Sequence, residues 1–403
     1  MPIQTQKRIK TNRNEDEKVK NFTFAAPTRV VFGSGAAGHL HELCESLGAK
    51  KVFVAADPNL VGTPAVRGLI TSLEEHGFPC TVFSDIVAEP PIEVVDAAAD
   101  ILKESGCDVI IAVGGGSSID ISKAMAMLMN NPGSVRDYLF GGSKTVTNPS
   151  LPLISVPTTA GSGSEVTAAS VISDTANNIK LSVSHPYLFP RFAVVDPLMQ
   201  TGMPAFVTAT TGVDALTHAI EAYVSLRANP YSDMYAVSAI SKISANLRTA
   251  LSDPGNIEAR GQMAIASVMA ATAFASGGLG AVHGISQAMG GVVHVSHGHA
   301  NSMMLSHVME RNLAGNLTRF AHIAELMGEK TDGLSLREAA SRSVICIRQL
   351  VSDLQIPAKL QDAGVTAGHF PAIVKGTMEY RLLPDNPVRL TQKDVYAILE
   401  KAF

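Results

Sequence analysis

The chain reads CDVIIAVGGGSSIDISK over residues 107–123, and this stretch decides the class of fold. Its opening is a nearly continuous apolar run, which is typical of a parallel strand buried on both faces of a sheet. Three glycines follow, and after them a Met- and Ala-rich helix is predicted. Successive glycines let the backbone approach an anion, and the N–H groups at the helix start point towards it. The stretch therefore predicts a strand, a phosphate-binding loop and a helix.

The same alternation of strands and helices fills the first half of the chain. Strands are predicted at residues 29–32, 51–56, 80–83 and 151–156, with helices at 39–47 and 92–104. This order predicts a doubly wound α/β domain with a parallel sheet. Beyond Met203-Pro204 the apolar residues recur at helical spacing, which predicts an all-α C-terminal domain. We predict a polar, flexible leader at 1–20, an α/β dinucleotide-binding domain at 21–200 and a helical metal-binding domain at 201–403.

Two glycine-rich loops compete for the pyrophosphate of a dinucleotide. The pattern Gly33-x-Gly35-x-x-Gly38 also lies between a strand and a helix, and Asp57 follows about 20 residues later, as in the dinucleotide fingerprint. We favour the loop at residues 114–117 and interpret the first as a structural turn. Under either interpretation, Asp57 at a strand tip can accept bonds from the adenosine ribose and repel a 2′-phosphate, which favours NAD over NADP. The alternative is that Asp57 only caps the turn before Pro58.

Two segments in the second half carry metal-binding side chains. GVDALTHAIEAY at residues 212–223 places Asp214 and His218 four positions apart, so both leave one helix face about one turn apart. HGISQAMGGVVHVSHG at residues 283–298 adds several imidazoles in an apolar setting, where buried polar groups need partners. Imidazoles and a carboxylate suit iron(II) or zinc, whereas calcium and magnesium prefer oxygen. Ordinary buried polar residues are the alternative.

Together these motifs resemble the iron-containing (group III) alcohol dehydrogenase family, over roughly residues 22–403. The resemblance implies the dehydroquinate synthase-like, iron-dependent alcohol dehydrogenase fold, with NAD and Fe2+ as cofactors and Zn2+ as the alternative metal. The metal ligands that it implies are Asp214, His218, His283 and His297. The cofactor-binding residues that it and the loop together predict are Asp57, Gly114, Gly115, Gly116, Ser117, Asp120, Thr158, Thr159, Thr167 and Lys180.

Gln287 departs from the family pattern, which usually has histidine at this position near the substrate. Glutamine can donate and accept hydrogen bonds but does not titrate near neutral pH. We predict Gln287 and His297 as the catalytic residues, with the proton relay in question. His294 and His299 are alternatives for the relay, although surface or packing roles are favoured for both.

The predicted reaction is reversible hydride transfer between nicotinamide and a small primary alcohol or aldehyde, with the metal as Lewis acid. A polyol or 2-oxoacid dehydrogenase of the same superfamily is one alternative. A dehydroquinate synthase-like lyase is another, but it needs a Lys/Arg cluster that the metal segments lack. A protein that keeps the site but is inactive because of Gln287 is the third.

Composition limits the partners and the compartment. The formal net charge is −4, and no Lys/Arg stripe interleaved with aromatic residues occurs, which argues against nucleic acid as a partner. The four cysteines are widely spaced, as expected of reduced thiols. No apolar run reaches membrane-spanning length and the N-terminus has no signal core, so we expect no membrane partner and a cytoplasmic location. We also expect a homo-oligomer, and an address or docking role for the leader is the alternative to a flexible one.

Overall fold

A six-stranded, fully parallel sheet forms the first half of the protein. The computed structural model describes residues 21–177 and 179–403, so the predicted leader at 1–20 lies outside the described residues. Within these described residues the eight strands are β1 Arg29–Phe32, β2 Val52–Ala56, β3 Cys80–Phe83, β4 Val109–Gly114, β5 Leu153–Pro157, β6 Ala169–Asp174, β7 Ile179–Ser184 and β8 Phe192–Val195. The order in the sheet is β1-β8-β5-β4-β2-β3.

Four helices of this half connect the strands of the sheet. They are α1 Leu40–Ser46, α2 Pro64–Glu75, α3 Ile92–Ser105 and α4 Gly116–Leu128. Strands β2 and β4 are buried along their whole length, as expected of central strands with helices on both faces. The doubly wound α/β domain predicted from the sequence is confirmed.

The second half is entirely helical. Its helices are α5 Ala205–Val224, α6 Pro230–Ser252, α7 Ile257–Gly277, α8 Ala281–Val293, α9 His297–Asn312, α10 Leu317–Leu326, α11 Leu336–Asp353, α12 Phe370–Glu379 and α13 Gln392–Ala402. Helix α5 is buried over most of its length and contacts α6, α7 and α9. A helix that is surrounded in this way can present polar side chains only to other protein groups or to a bound ligand. The predicted all-α C-terminal domain is confirmed, while the boundary at residue 201 stays a prediction.

Three adjacent strands end at the same edge of the sheet. The N–H of Asp57 donates to the carbonyl of Val113 at 2.9 Å, and the N–H of Thr158 donates to the carbonyl of Gly114 at 3.0 Å. The segments that follow β2, β4 and β5 are therefore neighbours. Ligands of open α/β sheets bind at such carboxyl ends.

Strands β6 and β7 form an antiparallel hairpin that is separate from the main sheet. This hairpin was not predicted from the sequence. It pairs with the segment before α3 through Pro91 and Ser173, and β7 contacts α8 of the helical half. The hairpin therefore bridges the two halves near the sheet edge that carries the glycine-rich loop.

Among the described residues, no single helix is long and apolar enough to cross a membrane. Helices α7 and α8 reach that length and hydropathy only as a pair, which is bent by 102° at the break between them.

Candidate metal centre and cofactor loop

Helices α5, α8 and α9 bring the four predicted metal ligands together. One ligand atom from each of Asp214, His218, His283 and His297 lies within 4.8 Å of all the others. The first three side chains are buried, with 5% or less of each residue exposed, and His297 has 32% of its side chain exposed. The cluster is therefore accessible from the side of His297.

The imidazoles are held by ring contacts as well as by their helices. The ring of His218 stacks between Phe274, with ring centroids 4.5 Å apart, and His283, with centroids 4.6 Å apart. The ring of His297 is tilted against His283, with centroids 5.2 Å apart. This packing limits the rotamers of the rings, so the site is largely preformed.

Glu221 fixes the orientation of the predicted ligand His283 through a hydrogen bond to its Nδ1 atom. Its carboxylate accepts hydrogen bonds from His283 Nδ1 at 2.6 Å and from the N–H groups of Gly280 at 3.0 Å and Val282 at 2.7 Å. Gly280 and Val282 belong to the start of α8, where a negative charge is favourable. With Nδ1 bonded to Glu221, Nε2 of His283 is free to bind a metal, an arrangement that also raises the basicity of the ligand.

Asn301 lies at the centre of the ligand set. Its side-chain Nδ2 donates to Asp214 Oδ1 at 2.6 Å and lies 3.2 Å from Nε2 of His297 and 3.4 Å from Nε2 of His283. The residue is fully buried, and its Oδ1 has no hydrogen-bond partner. The amide thus orients the carboxylate of Asp214 towards the imidazoles.

The protonation states of the cluster suit a cation. Burial lowers the pKa of His218 to about 4, and it also lowers the pKa of the less buried His297, so both rings are neutral at pH 7. Burial alone would raise the pKa of Asp214, but its polar surroundings, including the hydrogen bond from Asn301, outweigh burial and lower the pKa. Neutral imidazoles and an ionised carboxylate are the forms that bind metals. The residues therefore fit a divalent transition metal.

The loop between β4 and α4 comes close to neighbouring segments at each of its glycines. A Cβ at Gly114 would lie 3.3 Å from Cβ of Asp57, one at Gly115 would lie 3.3 Å from Cγ2 of Thr159, and one at Gly116 would lie 2.9 Å from Oγ of Ser162. The loop therefore has no room for side chains and presents backbone N–H groups at the start of α4, which suits a pyrophosphate.

The competing glycine-rich turn before α1 is already filled by the protein. The carboxylate of Asp196 accepts hydrogen bonds from the N–H groups of Gly35 and Ala37, each at 3.1 Å. An anion of the protein itself therefore occupies the position that a phosphate would need. This contact supports the interpretation of Gly33–Gly38 as a structural turn.

Asp57 lies beside the glycine-rich loop and also caps its own turn. Its Oδ1 accepts from the backbone N–H of Asn59 at 2.8 Å and from Nδ2 of Asn59 at 3.1 Å. Asp57 therefore caps its own turn, as the alternative interpretation of this residue proposed. Its second carboxylate oxygen has no such bond to Asn59, so a ribose contact is compatible with the cap.

Asp120, Thr167 and the buried Lys123 form a separate polar cluster behind the loop. The Lys123 ammonium donates to Ser164 Oγ at 2.8 Å, to Thr167 Oγ1 at 3.2 Å and to the carbonyl of Ala169 at 2.8 Å. The Asp120 carboxylate accepts from the Ser164 hydroxyl and, at 2.9 Å, from the N–H of Val171. The polar groups of Asp120 and Thr167 are thus engaged inside the protein, and their cofactor role stays a prediction.

Lys180 is not a solvated surface lysine. It forms an ion pair with Glu89, and only 8% of its side chain is exposed.

Of the residues on α8, Gln287 follows His283 by one turn and is half-buried. His294 ends that helix in an exposed, left-handed conformation with φ of 55°. His299 is buried, with Nε2 2.9 Å from the carbonyl of Pro357, so it has a packing role.

Four residues of these clusters were not predicted from the sequence: Glu221, Asn301, Lys123 and Glu89. For two of them a signal was present. Glu221 follows Asp214 by seven positions on α5, and Asn301 follows His297 by four on α9, so each shares a helix face with a ligand. For Glu89 there was none, because its partner Lys180 is 91 residues away.

The structure combines a cluster of metal-ligating side chains in the helical half with a glycine-rich loop at the sheet edge, a combination typical of metal-dependent dehydrogenases. The profile of the iron-containing alcohol dehydrogenases matches residues 27–197. The profile of the C-terminal region of the Fe-containing alcohol dehydrogenase family matches residues 208–403. The chain belongs to the iron-containing alcohol dehydrogenase family.

Individual relatives agree over nearly the whole chain. The 1,3-propanediol dehydrogenase of Citrobacter freundii is 38% identical, covering 95% of this chain and 99% of its own. The NAD-dependent methanol dehydrogenase of Bacillus methanolicus is 36% identical, covering 94% and 99%. A crystal structure of 1,3-propanediol oxidoreductase superimposes with a TM-score of 0.92 at 37% identity, covering 95% of this chain and all of the other. The chain is thus an NAD-dependent, metal-containing alcohol oxidoreductase.

Proposed function

We propose that this protein interconverts short-chain primary alcohols and aldehydes at a metal held by Asp214, His218, His283 and His297. The observation that carries the proposal is the convergence of these four ligand atoms within 4.8 Å of one another on three helices. When bound, the metal supplies a Lewis acid for the substrate oxygen and NAD supplies or accepts the hydride. The protein's own contribution is to hold, orient and shield these groups.

Iron(II) is our proposed metal, with zinc as the alternative. Three imidazoles and one carboxylate suit either ion. The family match favours iron. Glu221 and Asn301 would orient His283 and Asp214 towards the ion, and Phe274 would exclude water from the side of His218.

For the cofactor, we propose that the backbone of Gly114–Ser117 holds the pyrophosphate and that Asp57 accepts bonds from the adenosine ribose. Thr158 and Thr159 directly follow the neighbouring strand β5, where they can bind the cofactor. Asp120 and Thr167 would act through the cluster around Lys123, which fixes the segment that faces the loop. Lys180, which lies against Gly290 of α8 in the helical half, would reach the cofactor's ribose at the nicotinamide end.

Methanol and 1,3-propanediol, named for two of the relatives, agree with a short substrate, whereas a third relative is named for long-chain alcohols. The test is NADH oxidation by protein purified without oxygen, assayed against short aldehydes, polyol-derived aldehydes and 2-oxoacids before and after chelation. We expect turnover with short aldehydes that chelation abolishes and iron(II) restores. Turnover confined to 2-oxoacids or polyol substrates would favour the alternative dehydrogenases, and chelator-insensitive turnover would contradict the metal role.

The first prediction concerns cofactor choice. Asp57→Asn removes the carboxylate charge but keeps an oxygen that can accept from Asn59, so the turn should persist. We expect the preference for NAD over NADP, measured as the ratio of kcat/KM values, to fall by roughly tenfold, since repulsion of the 2′-phosphate is lost. An unchanged ratio would remove Asp57 from ribose recognition.

The second prediction concerns Gln287, which we propose to orient the substrate without relaying protons. Gln287→His introduces a group with an ordinary pKa near 6.5. We expect kcat to acquire a new dependence on pH between about 6 and 7.5, because imidazole changes its charge there. An identical pH profile would show that position 287 takes no part in proton transfer, and His297 would then be the remaining catalytic candidate.

A cytoplasmic location and a homo-oligomeric state stay predictions from the sequence. Light scattering on the purified protein measures the second directly. A monomer at micromolar concentration would contradict it.

A further inference from the structure

Glu89 occupies an unusual position in the connection between β3 and α3. Its backbone has a φ of 54°, in the left-handed region that non-glycine residues seldom adopt. The N–H of Glu89 donates to Ser117 Oγ at 3.1 Å, and Ser117 belongs to the glycine-rich loop at the start of α4. Such strain persists only where the surroundings enforce it, and it often marks functional sites.

The carboxylate of Glu89 forms an ion pair with Lys180 of β7. The side chain of Lys180 is 8% exposed and that of Glu89 is 30% exposed, so the pair is partly removed from water. Each charge is then poorly screened by solvent, and removing one leaves the other uncompensated.

Lys180 is also closely fitted against the helical half. A Cβ at Gly290 of α8 would lie 2.7 Å from Nζ of Lys180 and 3.2 Å from its Cε. The same helix carries the ligand His283 seven residues earlier, which corresponds to about 10 Å along the axis. The pair Glu89–Lys180 therefore connects the glycine-rich loop, through Ser117, with the helix that holds the metal ligand.

In the proposed function the nicotinamide lies between that loop and the metal, and the pair, which contacts both the loop and α8, lies beside that space. The oxidised ring carries a positive charge that the reduced ring lacks. An uncompensated ammonium beside it would disfavour the oxidised form, because like charges repel strongly where water is excluded. A carboxylate on the ammonium removes this penalty.

We propose that Glu89 is a positioning residue that neutralises Lys180 and thereby sets the relative affinities for NAD+ and NADH. This inference rests on the proposed function, in which Lys180 lies at the nicotinamide end. It assigns to Glu89 a role in the balance between alcohol oxidation and aldehyde reduction.

The test compares dissociation constants for NAD+ and NADH in the metal-loaded enzyme by isothermal titration calorimetry. For Glu89→Gln we expect the Kd of NAD+ to rise roughly tenfold, while the Kd of NADH stays within about twofold of the wild-type value. The matched control is Glu93→Gln, which removes the same charge from an exposed residue four positions later. It should leave the ratio unchanged.

The double variant Glu89→Gln/Lys180→Met supplies the second measurement. It removes both charges, so the ratio of the two constants should return to within about threefold of the wild-type ratio even if both forms bind more weakly. If the Glu89→Gln variant binds both NAD+ and NADH with the wild-type ratio of dissociation constants, the inference is overturned and the proposed function is not. A wild-type enzyme that binds neither form would overturn the proposed function and this inference with it.

Discussion

The metal centre and the cluster around Lys123 are both buried and polar, but only one of them contains its own cation. Around Lys123, the ammonium lies among hydroxyls, a carbonyl and the carboxylate of Asp120, which is 3.9 Å away. At the metal centre, the carboxylates of Asp214 and Glu221 accept hydrogen bonds from an imidazole and from amide N–H groups. Among the described residues, neither has a lysine or arginine within ion-pairing distance.

The difference separates a structural cluster from a binding site. Burial of a charge is tolerated when an opposite charge and hydrogen bonds accompany it. The Lys123 cluster meets this condition by itself. At the metal centre the lowered pKa values leave His218 and His297 neutral, and in the described part of the chain Asp214 has no lysine or arginine partner, so a divalent cation completes the site.

The largest expected effect is on the structural cluster. Lys123→Met leaves Asp120 buried without its cation, and breaking a buried pair in this way typically costs about 3–5 kcal/mol. We expect the urea midpoint of unfolding to fall accordingly, with the metal content of the folded protein unchanged. The matched control is Lys144→Met, which removes a half-exposed lysine paired with Asp137 at 2.9 Å and should cost no more than about 1 kcal/mol. Equal losses in the two variants would show that Lys123 is not a structural cation.

A smaller effect is expected from the residue behind the metal ligands. Glu221→Gln keeps the size of the side chain but weakens its bond to His283 Nδ1, so metal affinity should fall by about 10–100-fold. Chelator competition measures this, and the Kd of NADH serves as the internal control because the cofactor loop lies elsewhere. Unchanged metal affinity would mean that His283 does not need Glu221 as its orienting partner.

The smallest effect concerns Glu165, which lies next to the Lys123 cluster. Burial raises the pKa of Glu165 from 4.5 to about 7. The folded protein therefore binds more protons than the unfolded chain between these values, and this contribution to stability is present below pH 4.5 and lost as the pH rises through 7. Between pH 5.5 and 7.5 the loss should be about 1–2 kcal/mol.

Glu165→Gln has no proton to lose, so the pH dependence of its unfolding free energy should be flatter than that of the wild type by that amount. Urea titrations of both proteins at the two pH values measure the difference, in which all other titrating groups cancel. Parallel pH dependences would show that the carboxyl of Glu165 is not buried in the folded state.

Much of the fold and of the metal centre follows from local sequence. The strand before Gly114 is evident from its apolar run, although it spans Val109–Gly114 and not 107–113, since the ends of a strand depend on pairing. The ligand pair Asp214 and His218 follows from helix geometry alone. The ligands His283 and His297 could be identified only through the family resemblance, because the local sequence does not indicate that α8 and α9 contact α5.

The clusters that depend on distant contacts were less predictable. In the β6–β7 hairpin, apolar and polar residues alternate in two short runs on either side of Asn177. This alternation indicates strands, but no hairpin was predicted from it. The inward orientation of Lys123 depends on Ser164 and Ala169, more than 40 residues later. The left-handed backbone of Glu89 could not be predicted, because a residue before proline usually adopts an extended conformation, and its bond to Ser117 joins residues 28 positions apart.

The most direct test is the metal content per chain, measured by mass spectrometry on protein purified without oxygen, for the wild type and for Asp214→Asn. Asn keeps the shape of the ligand but removes its charge, so the cluster loses the carboxylate that a divalent ion needs. We predict about one iron or zinc ion per wild-type chain and a large loss of metal in the variant, with NADH binding retained. Full metal content in the variant, or a metal-free wild-type enzyme that still oxidises NADH with aldehydes, would contradict the account.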